Sequence, residues 1–242
     1  MSEPFWVATD REVVRVSGPD ALTYLQSQVS QDLRPMATGD RRWTFLLQPT
    51  GKVDVLARVA RAAEDTFVFD VDGGFGDELV ARLNRFKIRV KVDVERVPWR
   101  VIAVVGGDDL VGPDVAPPDG VREGTREELE AARVAAGWPA LGAEIVPGET
   151  IPVETGVVPL AVDFRKGCYP GQELVERMDS RGAAPPRSLR VLEVAPGAAP
   201  GAPIVHDGRE VGVLTSVAGD RAIGLVKRGV EVGAAPTHAP VA

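Results

Sequence analysis

Cys168 is the only cysteine in 242 residues, and it sits in the string Arg165-Lys166-Gly167-Cys168-Tyr169-Pro170-Gly171-Gln172-Glu173-Leu174-Val175-Glu176-Arg177. A thiol attacks carbon or binds metal as its thiolate, which nearby cations and a helix N-terminus favour. Lys166 and Arg165 supply the cations. Pro170 suits the first turn of a helix that Gln172 to Arg177 would continue. Gly167 and Gly171 carry no bulk, so the backbone can bend and a ligand can approach. A core cysteine would instead sit among Leu and Val. The pattern predicts a reactive thiol at a helix N-terminus with Lys166 as its charged neighbour.

A lone cysteine forms no internal disulfide, and it is too few thiolates for a cluster, which takes about four. His206 and His238 are the only imidazoles, and neither is spaced with Cys168 as a metal ligand. No resident metal is expected, and a cysteine hydrolase would lack a base close in sequence. The chain holds 28 basic and 35 acidic residues, a formal charge of −7, which argues against direct nucleic-acid binding. Met1 to Trp6 lacks the features of a signal peptide, and no apolar run reaches membrane-spanning length. A cytoplasmic protein with no membrane partner is expected.

Elements must position the thiol. Val13 to Val16 reads as a strand, followed by a Ser17–Asp20 capping box and a helix with Leu22, Leu25 and Val29 on one face. Gln26, Gln28, Gln31 and Asp32 read as its solvated side. Arg42–Leu47 and Lys52–Val59 flank Gln48-Pro49-Thr50-Gly51, which predicts a hairpin. Thr66–Val71 is a strand and Gly76–Phe86 a helix, and strict alternation over Ile88–Val94 predicts a half-buried strand. Val101–Val105 is a buried strand, and Gly106–Gly124 reads as a loop. Thr125-Arg126-Glu127-Glu128 is a second capping box, opening a helix that Gly137 ends. The long stretch from Trp138 to Gly156 carries Glu144, Glu149 and Glu154 and is more often functional than idle. Short strands close the chain, with Asp207-Gly208 as a hairpin turn. The mixture predicts an α+β fold with mostly antiparallel sheets. Residues 1–100 form a first part, 101–184 a second that carries the cysteine, 185–230 a small β unit, and 231–242 a flexible tail.

The string Lys166-Gly167-Cys168-Tyr169-x-Gly171-Gln172-Glu173 resembles the signature of the YgfZ family, folate-binding relatives of the glycine-cleavage T protein. Gly18-x-Asp20-Ala21-x-x-x-Leu25-Gln26 resembles that family's first helix. The resemblance implies two intertwined α/β parts around a central cavity and a small C-terminal β-barrel. It implies tetrahydrofolate, or a derivative, as ligand, and Lys166, Gly167, Cys168, Tyr169, Gly171, Gln172 and Glu173 as a loop facing the cavity. It further implies a part in assembling or repairing iron–sulfur enzymes, some of them tRNA-modifying, with those enzymes or assembly proteins as partners. T proteins use an Asp pair on a hairpin strand, where this chain has Asp54 and Val55. Aminomethyl transfer is therefore not expected, although a folate-dependent transferase working through Asp54 is the alternative, and a plain interaction module with a packed cysteine a third reading. Relatives also carry Arg-x-Glu-x-Gly where Arg133-Val134-Ala135-Ala136-Gly137 stands, so Glu144 or Glu154 would have to replace that acid. Arg133 and Arg177 would face the negative tail of folate.

Overall fold

The computed structural model describes residues 3–180, 182 and 184–237; His238 and the rest of the expected tail lie outside them. Three sheets carry the fold. The first is five-stranded and antiparallel, built from β2 (Glu12–Ser17), β3 (Arg41–Leu47), β4 (Val53–Ala63), β5 (Thr66–Val71) and β6 (Asp93–Val97) in the order β3-β4-β5-β2-β6. Its inner face meets α1 (Ala21–Gln26) and α2 (Gly76–Arg85) over a core that includes Phe45, Phe67, Phe69, Leu25, Leu79 and Leu83. The Gln48–Gly51 turn joins β3 to β4 as its Pro-then-Gly chemistry requires, with Gly51 at φ +86°.

The second sheet explains why the first hundred residues are not a closed unit. β1 (Phe5–Ala8) leaves the N-terminus to pair antiparallel with β7 (Arg100–Val105) and parallel with β9 (Arg122–Glu123), while β8 (Leu110–Gly112) covers the other edge of β7. Two short strands thus lie within 106–124, where composition suggested only a loop. The two α/β parts are interleaved through β1.

α3 (Arg126–Ala136) opens on Thr125, whose side chain accepts the Glu128 N–H while Glu128 accepts the Thr125 N–H, and it ends on Gly137 at φ +71°. The capping box at Ser17 does not form. Ser17 ends β2, and Asp20 instead bonds the Lys91 backbone N–H at 2.7 Å. The helix closes at Gln26, so Val29 reaches the core through a bridge to Leu46. The strand expected from Ile88 begins only at Asp93, because Arg89 turns to φ +54° and Asp20 holds the Lys91 backbone.

The third sheet is antiparallel in the order β10-β13-β12-β11, formed by β10 (Arg187–Glu193), β11 (Pro203–His206), β12 (Arg209–Ala218) and β13 (Arg221–Lys227). Asp207 and Gly208 both take positive φ in its hairpin, as that two-residue turn demands. The segment expected as a flexible tail is docked as far as Thr237: Ala234 bridges Val191, and Thr237 N donates to Ala136 O. Among the described residues no helix is long and apolar enough to cross a membrane.

Candidate functional site

The cysteine loop leads into α5 (Gln172–Ser180). The helix starts at Gln172, so Pro170 and Gly171 form a turn before it and Cys168 precedes it by four residues. The thiol is therefore not at the helix N-terminus, because Gly171 at φ +81° cannot continue a right-handed helix. Gly171 is where the loop is clamped. A Cβ there would stand 2.5 Å from Gln48 O and 2.8 Å from Gly51 Cα, and a Cβ on Gly51 would strike Leu174 at 2.5 Å. Only glycines let the loop lie on the hairpin turn.

Lys166 clamps the other side. It is 5% exposed, and its ammonium donates to Gln26 O at 2.7 Å and to Val29 O, with Nζ 5.1 Å from the Tyr169 ring centre. Burial lowers its pKa to about 8, against the pull of Asp32 and Asp163. The ammonium therefore faces the end of α1, and the expected Lys166–Cys168 charge partnership is replaced by a structural anchor. Ser30 and Gln31 extend the clamp: Ser30 Oγ donates to Ala161 O, and Gln31 Nε2 donates to Leu160 O. These carbonyls belong to α4 (Val158–Ala161). Tyr169 is buried beneath the loop, while Gly167 and Cys168 stay exposed, and a Cβ on Gly167 would meet nothing within 4 Å. The result is an open thiol on a fixed backing.

The remaining candidates separate. Gln172 Oε1 accepts the Tyr169 N–H at 3.3 Å and its amide donates to Glu176, which orients the turn into α5. Glu173 and Arg177 form an exposed pair at 2.5 Å on the helix surface, facing water. Asp54 is buried, bonded to Arg82 at 3.2 Å and to Gln48 at 2.9 Å, so its charge is spent holding β4 to α2 and the hairpin. Glu154 pairs with Arg187 at 2.9 Å and ties a 3-10 turn at Pro152–Thr155 to β10.

Arg133 lines a hollow of the second sheet and α3, yet its guanidinium is committed within the protein. It meets Glu130, the fully buried Glu144, Trp138 O and Ser216 Oγ at 2.6 to 2.8 Å, which joins α3 to β12. These acids hold it above the ordinary arginine range despite burial. Glu144 is likewise a structural partner.

That hollow, about 340 Å³, is walled by Val7, Ala8, Ala103, Leu129 and Trp138, with Arg11, Asp72, Asp10, Arg126 and Glu130 at its polar edge. None of residues 166–173 lines it. The loop expected to face a central cavity is therefore apart from this one, because Lys166 and Gly171 pin it to α1 and the hairpin. Behind the hollow, Arg11 and Arg58 share Asp70 and each stands 5.6 Å from the Trp43 ring, which packs on Trp138 at 4.8 Å. Sequence reading missed Arg11, Asp72 and Trp138 because their meeting depends on β1 crossing into the second sheet. Gln28 and Gln31, read as solvated, are buried hydrogen-bonding residues. Among the described residues no cluster of three or more His, Cys, Asp or Glu is arranged to hold a metal ion.

Comparison with known proteins accords with this architecture. Residues 177–239 match the CAF17 C-terminal beta-barrel domain. An uncharacterized protein of Haemophilus influenzae is 28% identical over 192 residues, 72% of this chain and 68% of that protein. The mitochondrial iron-sulfur cluster assembly factor IBA57 homologs of Neurospora crassa and Pyricularia oryzae are 28% and 27% identical, over 81% and 76% of this chain. The chain spans little more than half of those two relatives, 55% and 56%. The crystal structure of glycine cleavage system aminomethyltransferase T from Bartonella henselae superposes with a TM-score of 0.73 at 18% identity, covering 93% of this chain and 79% of that one. The chain thus has the fold of an aminomethyltransferase T, ends in a CAF17-type β domain, and is similar in sequence to iron–sulfur cluster assembly factors of the IBA57 kind.

Proposed function

We propose that this protein is an accessory factor in the assembly or repair of iron–sulfur enzymes, with Cys168 as its working group. One observation carries the reading: the single thiol is exposed on a loop whose backing residues, Lys166, Tyr169 and Gly171, are buried and fixed. A thiol that only packed would be inside. A lone thiolate cannot hold a cluster by itself, so it would complete one shared with a partner or contact the partner directly. The IBA57 names of the fungal relatives support the same role. The YgfZ-like signature supports a finer reading, that of a folate-binding relative whose clients include tRNA-modifying enzymes. Its test is the activity of iron–sulfur enzymes in cells deleted for the chain: restoration by the wild-type gene supports the role, and undiminished activity in the deletion strain refutes it.

Folate is the ligand this reading assigns to the 340 Å³ hollow, which lies within the ~300–1,000 Å³ range of small-molecule sites. A pterin presents a flat face and an edge of N–H donors. Trp138, Leu129 and Ala103 offer the wall, and Asp72 or Glu130 offers carboxylate oxygens with lone pairs to spare beyond their arginine bonds. The exposed Arg126 would meet the carboxylates of the tail. Bound there, a reduced folate would supply one-carbon or pterin redox chemistry. Calorimetric titration of tetrahydrofolate into wild type and Cys168→Ala tests it: equal binding to both, lost in Ala103→Trp, is expected, and no binding to wild type refutes the assignment.

Aminomethyl transfer is the less favoured reading. Val55 stands where the second acid of an Asp pair would be, and Asp54 is already neutralised by Arg82.

A further inference from the structure

The last residue of α2 and the loop that leads on to β6 run Arg85-Phe86-Lys87-Ile88-Arg89-Val90-Lys91, four cations in seven residues of a chain with net charge −7. Among the described residues none of the four makes an ion pair within 4 Å. Asp20, beside them, spends its carboxylate on the Lys91 backbone N–H. Arg85, Ile88, Arg89 and Lys91 are exposed, and Ile88 is 73% exposed, the most open large hydrophobic among the described residues.

This loop is built, not slack. Phe86 lies under the Arg82 guanidinium at 4.3 Å, Val90 packs on the main core, and the Lys91 backbone is tied to Asp20 through both its N–H and its carbonyl. Between those pins Arg89 takes φ +54°, an uncommon conformation for a residue with a side chain. The turn that conformation makes holds Ile88 outward instead of letting 88–92 extend β6. An apolar tip ringed by unpaired cations has the chemistry of a small transient interface, with one buried anchor and a charged rim that steers the approach.

We infer that the 85–91 loop is the docking surface for an acidic partner protein, which seats an apolar pocket on Ile88 and sets carboxylates against Arg85, Lys87, Arg89 and Lys91. A protein is favoured over a polynucleotide because phosphate contacts have no use for an isoleucine at the centre, and the loop's one aromatic ring, Phe86, is half-buried with Arg82 over its face instead of open for base stacking. Seven residues are also too few for an obligate interface, which fits an exchanging partner. α1 links this surface to the thiol: its N-terminal end holds Lys91, its C-terminal end holds Lys166, and its six residues span only ~9 Å. The inference stands independently of the functional reading above.

The experiment uses a short dye-labelled peptide of leucines flanked by glutamates, titrated into the full chain and followed by fluorescence anisotropy. Transfer RNA and phosphatidylcholine–phosphatidylglycerol vesicles are run as parallel probes. The expected result is salt-sensitive peptide binding that falls ~10-fold or more in Arg85→Glu/Arg89→Glu and also in Ile88→Ser. Both variants change exposed residues, and an unmoved melting temperature shows that they fold. Peptide affinity unchanged in the variants, tighter binding to either parallel probe, or no binding to the peptide at all would each overturn the assignment.

Discussion

Lys166 and Cys168 stand two positions apart on one loop and are sorted oppositely by burial: the ammonium is sunk against the carbonyls of Gln26 and Val29, and the thiol is open to water. The lysine therefore acts as an anchor that makes the loop a rigid platform. In the proposed function the working group is the cysteine, and the lysine has no part beyond holding the loop.

Exposure makes the thiol testable without denaturant. Iodoacetamide should modify Cys168 in the native protein at a rate within about tenfold of that in the urea-unfolded chain. Protection of several orders of magnitude, read by mass spectrometry, would mean that the loop covers its sulfur.

Gly171 holds the platform against the hairpin. Gly171→Ala forces a Cβ onto Gln48 O and Gly51 at a positive φ, and should cost about 2–4 kcal/mol in urea unfolding. Gly167→Ala, with nothing within 4 Å of its Cβ, should cost under about 0.5 kcal/mol and serves as the control. Similar costs at the two positions would contradict the clamp.

The Lys166 anchor has a pH signature. Its folded pKa of about 8 lies below the unfolded value of 10.5, so between those pH values the unfolded chain holds a proton that the folded one has released. Stability referred to Lys166→Met should then rise with pH, by roughly 1–2 kcal/mol between about pH 7.5 and 9.5. Above pH 10 the raised pKa values of Tyr24 and Tyr169, buried and unwilling to ionise, act in the opposite sense. A flat difference between wild type and Lys166→Met across that interval would place the ammonium in water.

Much of this was legible in the sequence because it is local. The hairpin at Gln48–Gly51, the Thr125 capping box and the Asp207-Gly208 turn each follow from a few adjacent residues and form as expected. Ile88–Val94 alternates like a strand, yet a side chain distant in sequence, Asp20, takes the Lys91 N–H and the ladder starts later. Arg133 looked like a ligand residue because its partners, Glu144 and Ser216, lie 11 and 83 positions away. Nor could the pattern at 166–173 reveal which side of the loop each side chain would take.

Arg133 and Glu144 carry the join between α3 and the C-terminal sheet. Arg133→Met leaves a fully buried carboxylate without its cation and should cost about 3–5 kcal/mol. Adding Glu144→Gln removes the stranded charge and should recover at least half of that loss in thermal or urea unfolding. Additive losses in the double variant would show that the two do not act as a pair.

In the proposed role, the need for Cys168 lies in what the protein does and not in its fold. Its most direct measurement is the activity of iron–sulfur enzymes in cells deleted for the chain and supplied with Cys168→Ser, set beside the melting temperature of the purified variant. The expected result is an unchanged melting temperature together with enzyme activity no higher than in the uncomplemented deletion strain. Full rescue by Cys168→Ser would contradict it.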